Sequence, residues 1–157
     1  FVFSCFTGLA FVDAMNLKHE NITVAENGEM WIKITRQKTN MPSIIPVMDI
    51  AKSIIKKYDN PNDDYVLPRS PHQHVNAYLK EIANCCGIKK RMTFHMARHT
   101  YATTAMSFGV PLATIAKTMG HANMRMTQHY ARVLPEKIIK DINALNTATQ
   151  TLQTLYQ

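Results

Sequence analysis

The sequence predicts a mainly α-helical domain with a small three-stranded antiparallel sheet near its N-terminal half. Three observations lead there. The β-like runs Ile22 to Val24, Trp31 to Thr35 and Ser43 to Val47 lie close together, and Glu26-Asn27-Gly28-Glu29 carries an Asn-Gly hairpin signal between the first two. Beyond Asp49 the apolar residues mostly recur at helical spacing. A chain of 157 residues, 46% of them hydrophobic, suffices for one domain with a real core and is too short for two of ordinary size.

Taken in order, Phe1 to Leu17 is helical on either side of a Thr7-Gly8 break. The three β runs follow, and strand alternation through Trp31 to Thr39 puts Arg36 and Lys38 on one face and Gln37 on the other. Asp49 reads as an N-cap, ahead of a helix with Ile50, Ala51, Ile54 and Ile55 on one stripe and Lys52, Lys56 and Lys57 on the other. Asp59 to Asp64 is a loop. Ser70-Pro71 opens a helix whose Val75, Tyr78, Leu79, Ile82, Ala83 and Cys86 form an apolar stripe, closed by Gly87. Thr93 is placed to cap the next helix, in which His95 and Arg98 fall one turn apart on one face. Pro111 opens a shorter helix ending at Gly120. Asn123 to Arg132 leads through Pro135 into a last amphipathic helix, Glu136 to Leu145, with Ile138, Ile139, Ile142 and Leu145. We expect one domain over residues 1–146 and a mobile Thr/Gln-rich tail over 147–157.

Eighteen Lys plus Arg against eleven Asp plus Glu give a net charge of +7, which favours nucleic acid as a partner over an anionic membrane surface. Three cysteines, two of them the adjacent Cys85 and Cys86, make no disulfide framework and fit a reducing compartment. The apolar run Phe1 to Val12 is too short to span a bilayer and ends at Asp13. It has neither the basic leader nor the cleavage site of a signal peptide. Because the chain starts in mid-pattern without Met, we expect further chain upstream.

Chemistry concentrates in a short stretch. His95-Met96-Ala97-Arg98-His99 is followed by Gly120-His121 and, nine residues after His121, by Tyr130. A guanidinium and neutral imidazoles suit a phosphodiester, since they bind non-bridging oxygens and spread the charge of a five-coordinate transition state. A tyrosine phenol can attack that phosphorus and store the broken bond as a phosphotyrosine ester. Plainer readings exist for each residue. A lone tyrosine such as Tyr130 is most often a half-buried packing residue, and Lys38 is one lysine among many. His95 and His99 have a spacing that binds zinc on a helix, with His121 or His129 as a third ligand. That zinc reading lacks the expected Glu between the histidines, and Arg98 would repel the cation.

The run Thr93 to Thr103 resembles the His-x-x-Arg box of the tyrosine recombinases, the family of phage and transposon integrases. Met119-Gly120-His121 with Thr127 and Tyr130 resembles their Gly-His box and nucleophilic tyrosine. Thr7-Gly8-Leu9 with Asp13 resembles the first box, and Gln37-Lys38-Thr39 the lysine-bearing hairpin turn. The likeness covers nearly the whole chain in order, and its wording is nearest to integrases of Bacteroides-type mobile elements. It implies the catalytic-domain fold of that family, without the upstream DNA-clamping domain, and site-specific DNA recombination through a 3′-phosphotyrosyl intermediate. Tyr130 would be the nucleophile, His95 the proton acceptor, Arg98 and His121 the phosphate ligands, and Lys38 the leaving-group acid. No metal or other cofactor is implied. The implied partner is double-stranded DNA, held by a homotetramer on two duplexes with an accessory DNA-bending protein, in the cytoplasm at the nucleoid and away from any membrane. One departure stands out: the family has arginine after Thr-Gly-Leu, where this chain has Ala10. Arg36, sharing the strand face of Lys38, is the candidate replacement. The rival readings are a catalytically impaired DNA-binding module, a type IB topoisomerase-like strand transferase and a metal-dependent phosphoesterase.

Overall fold

The computed structural model describes residues 1–128 together with residues 139, 142–144 and 147. The expected architecture is present, with helices surrounding one three-stranded antiparallel sheet. Two short helices open the chain, α1 (Val2–Thr7) and α2 (Phe11–Met15), joined through Gly8 in the left-handed conformation at φ 71°. Thr7 ties the break together: its hydroxyl donates to the Phe3 carbonyl at 2.9 Å and accepts the Leu9 amide at 3.4 Å. A 3₁₀ turn (His19–Asn21) leads into the sheet.

The sheet is a meander of β1 (Ile22–Val24), β2 (Met30–Thr35) and β3 (Pro42–Pro46). Gly28, at φ 81°, supplies the positive dihedral that the β1–β2 turn requires. Ile32 sits opposite Ile22 on one side and Ile45 on the other, and Ile34 opposite Ser43. Ile32, Ile45 and Ser43 are buried, so one face of the meander packs inward. Pro42 and Pro46 occupy exposed positions on the edge strand β3, where no ladder donor is lost.

The helices α3 (Asp49–Tyr58), α4 (His72–Cys85), α5 (His95–Ser107), α6 (Leu112–Thr118) and α7 (Arg125–Gln128) follow. Phe3, Leu9, Leu17, Ile32, Ile45, Val47, Ala51, Ile55, Val66, Leu79 and Phe94 form the main core. Phe94 is met edge-on by Phe1 and Phe11. A second cluster, Tyr101, Ala102, Ile115 and Met119, joins α5 to α6 and therefore joins the two sequence segments of chemical interest.

Several local expectations need correction. Asp49 is the first helical residue instead of the cap; Met48 is the N-cap, and Asp49 acts from the first turn as a favourable charge and a partner of Lys52. Thr93 does not cap α5 through its side chain: the preceding residue of the helix is Phe94, whose amide is held by the Asn76 side chain at 2.8 Å. The apolar stripe of α4 is only partly inward, with Leu79 and Ala83 buried and Tyr78 and Ile82 exposed. The segment Glu136 to Leu145 and the tail over 147–157 lie outside the described residues except at 139, 142–144 and 147.

Candidate active site

Arg98 is the hub. It lies on α5 with 4% of its surface exposed, and a buried guanidinium is tolerable only if its fork of donors is satisfied. Nη1 donates to the Gly8 carbonyl, and Nη2 donates to the Met119 carbonyl at 3.1 Å and lies 3.0 Å from His121 Nε2. Two distant sequence segments, Gly8 and Met119 to His121, therefore converge on one side chain of α5. Gly8 is needed twice over, because a Cβ there would come within 2.6 Å of the Tyr101 ring as well as straining the positive φ.

His121 closes the arrangement. Its Nδ1 is 2.7 Å from the hydroxyl of Thr127, a fully buried residue on α7. Burial, then Arg98, then Arg36 push its pKa down to about 4. His95, on the first turn of α5, also has a lowered pKa, through burial first and then through His99, Arg98 and Lys38. The rings of His95 and His99 meet edge-on with centroids 4.8 Å apart. Both His95 and His121 are thus neutral near pH 7, as a proton acceptor must be.

The third element is the turn after β2. The strand ends at Thr35, so the expected alternation does not carry through to Lys38. Arg36 turns inward to a buried ion pair, its Nε donating to Asp13 Oδ2 at 3.1 Å and its Nη1 to the Gly120 carbonyl at 3.4 Å. Lys38 is exposed on the turn. The other Asp13 oxygen accepts the Gln37 amide at 3.1 Å, and Thr39 donates to the Gly120 carbonyl at 3.2 Å. The lysine-bearing turn is therefore stitched to α2 at one end and to the Gly120-His121 segment at the other. Gly120, at φ 58°, allows that approach; a Cβ would stand 2.4 Å from Arg36 Cδ.

Of the six residues singled out by sequence, Arg98 and His121 are in direct contact, and His95 lies within electrostatic reach of Arg98 and Lys38, as His121 does of Arg36. Tyr130 and His129 lie outside the described residues. Zinc at His95, His99 and His121 fits poorly, because both ring nitrogens of His121 are already engaged by Arg98 and Thr127. Asp13, which accompanies the first box, pairs with Arg36 beside the site. The carbonyls of Gly8 and Met119 and the hydroxyls of Thr39 and Thr127 were not foreseen as site groups. For Thr127 a cue existed in its place between His121 and Tyr130.

Residues 3–137 match the model of the phage integrase family. The chain belongs to the phage integrase family. Among curated relatives, a tyrosine recombinase of Pseudothermotoga lettingae is 27% identical over 147 residues, which cover 89% of this chain and 50% of that protein. Transposase B from transposon Tn554 of Staphylococcus aureus is 24% identical over 148 residues, covering 83% of this chain and 24% of the transposase. The XerH site-specific recombinase, in a crystal structure with palindromic difH substrate in a post-cleavage complex, superposes with a TM-score of 0.70 at 19% identity. That match covers 90% of this chain and 43% of XerH and shows a shared fold. The integrase-family chain thus spans half, or less, of these relatives.

Burial of a neutral His121 has a consequence for stability. Unfolded, the imidazole takes up its proton around the ordinary value of 6.5; folded, it does so only near 4. The unfolded state therefore binds more protons between these values, and stability should be full above 6.5 and fall as pH drops toward 4. Melting temperatures measured from pH 7.5 to 4.5 should show this loss, and His121→Asn should remove the part of the slope due to this residue. An unchanged slope in the variant would refute the assignment.

Proposed function

We propose that this chain is the catalytic domain of a tyrosine-type site-specific recombinase that breaks and rejoins duplex DNA through a 3′-phosphotyrosyl intermediate. The observation that carries the reading is the convergence of Arg98, His121, His95 and the Lys38 turn around one centre. The Tyr130 oxygen attacks phosphorus, the bond to the 5′-oxygen breaks, and a 5′-hydroxyl leaves. His95, neutral at working pH, accepts the phenolic proton, and Lys38 protonates the departing oxygen. Attack by the 5′-hydroxyl of a partner strand reverses the chemistry and reseals the duplex. The ester conserves the bond energy, so the cycle consumes no nucleotide, and cationic side chains neutralise charge in place of a metal ion.

Arg98 holds the non-bridging oxygens, and His121, whose two ring nitrogens are engaged by Arg98 and Thr127, acts on the phosphate through Arg98. Arg36 supplies the positive charge that Ala10 does not. Supporting this, it lies against Gly120 and within electrostatic reach of His121, and its Nη2 makes no hydrogen bond among the described residues. The exposed Lys89, Lys90 and Arg91 just before α5 suit contacts to the DNA backbone, which would add salt dependence without reading sequence.

The natural role is integration or excision of a mobile element. The transposase among its relatives and the sequence resemblance to Bacteroides-type integrases support this. The active assembly is a homotetramer on two duplexes, assisted by an accessory DNA-bending protein, at the bacterial nucleoid. Among the described residues no helix is long and apolar enough to cross a membrane.

One observation favours a second reading: with Ala10 in the first box, the domain is a DNA-binding module of impaired activity. The full-length protein should form a covalent adduct on nicked duplex DNA carrying its recombination site, and Tyr130→Phe should abolish it at unchanged DNA affinity. Strong binding without adduct in the wild type would favour the impaired module. Relaxation of supercoiled plasmid without strand exchange would point instead to a topoisomerase-like transferase.

A further inference from the structure

We infer that Thr127 is a positioning residue that fixes His121 in its Nδ1–H tautomer and thereby holds the Arg98 guanidinium in place for phosphate binding. A guanidinium has only N–H donors, so its 3.0 Å contact with His121 Nε2 requires a lone pair on Nε2. A neutral imidazole with a lone pair on Nε2 carries its proton on Nδ1. That proton points to the Thr127 hydroxyl oxygen, 2.7 Å away. Thr127 is fully buried, so water does not replace it as the acceptor.

The chain of contacts therefore runs from Thr127 to His121 to Arg98, and on to the Gly8 and Met119 carbonyls. Among the described residues the charged groups facing His121 are Arg98 from α5 and Arg36 from the turn after β2, and both oppose protonation of the ring. Without the hydroxyl, the Nδ1–H loses the acceptor that lies 2.7 Å from it. The ring would then move its proton to Nε2 or swing outward, and either change breaks the contact to Arg98. Thr127 precedes Tyr130 by three residues in the sequence.

The inference rests on the recombinase reading for its catalytic consequence, but the tautomer itself is read without DNA. Full-length protein labelled with nitrogen-15 at histidine, as wild type, Thr127→Val and Thr127→Ser, is compared by long-range proton–nitrogen correlation. Each is also assayed for adduct formation on nicked DNA and for melting temperature. Wild type and Thr127→Ser should show a single Nδ1–H form at His121. Thr127→Val should lose it, and its adduct formation should slow about tenfold, the size of one neutral hydrogen bond, at unchanged DNA affinity. Thr127→Ser should restore most of the rate.

A Thr127→Val protein that keeps the Nδ1–H form would overturn the inference, as would one that loses that form yet cleaves at the wild-type rate. Equal losses in the serine and valine variants would assign the effect to the methyl group and overturn it too. If wild type forms no adduct while the valine variant changes tautomer, the recombinase reading fails and the hydrogen-bond assignment stands.

Discussion

Arg98→Lys is expected to slow covalent adduct formation by about a thousandfold while leaving DNA affinity nearly unchanged. The charge survives the substitution, but the planar fork does not. Arg98 meets Gly8, Met119 and His121 with two nitrogens of fixed relative direction, and a lysine ammonium on a flexible stem cannot reproduce all three contacts. The Gly8 and Met119 carbonyls are then left short of a donor, which should cost a further ~2 kcal/mol of stability. Single-turnover trapping on nicked DNA measures the first effect and thermal melting the second. A lysine variant cleaving within tenfold of wild type would mean that charge alone suffices, and Arg98 would lose its place as the geometric centre of the site.

The second large effect concerns Asp13. Asp13→Ala should destabilise the domain by about 3–5 kcal/mol, because it strands the buried Arg36 charge without its partner. On a domain of this size that corresponds to a melting shift on the order of 10 °C. The pair is nearly inaccessible, with side-chain exposures of 3% for Asp13 and 6% for Arg36, so solvent cannot compensate. The double variant Asp13→Ala with Arg36→Met should recover most of the lost stability, since a buried pair is more easily replaced whole than halved. It should not recover cleavage, as Asp13 also accepts the Gln37 amide and so anchors the turn carrying Lys38. Recovery of both in the double variant would confine Arg36 to a structural role and leave the site without a replacement for the missing arginine.

The elements were legible where the cause is local. Gly8, Gly28, Gly87 and Gly120 all stand at positive φ, and the breaks they mark were visible as glycines between periodic runs. The Asn-Gly hairpin and the alternation of β2 depend on neighbours within a few residues. So did the placement of His95 and Arg98 on one helical face. Misreadings arose where a nearby alternative competed. The capping role assigned to Asp49 fell to Met48, and strand alternation was extended through a turn, so Arg36 and Lys38 point to different environments instead of sharing a face. On α4 the period predicted an apolar stripe correctly but not how much of it the rest of the fold would cover, and Tyr78 and Ile82 remain exposed.

By itself the sequence determined the fold class and the order of helices and strands among the described residues, and it singled out the residues that the proposal assigns to phosphate chemistry, because helical period, turn chemistry and motif spacing are properties of adjacent residues. Only the tertiary structure decided that Arg36 pairs with Asp13 and reaches Gly120, that Arg98 gathers the Gly8 and Met119 carbonyls, and that the Thr127 hydroxyl meets His121 Nδ1. Those contacts join residues as far as 90 positions apart, and no local preference encodes them. They arise because a buried charge or polar group must find its partner wherever packing of the core happens to bring one.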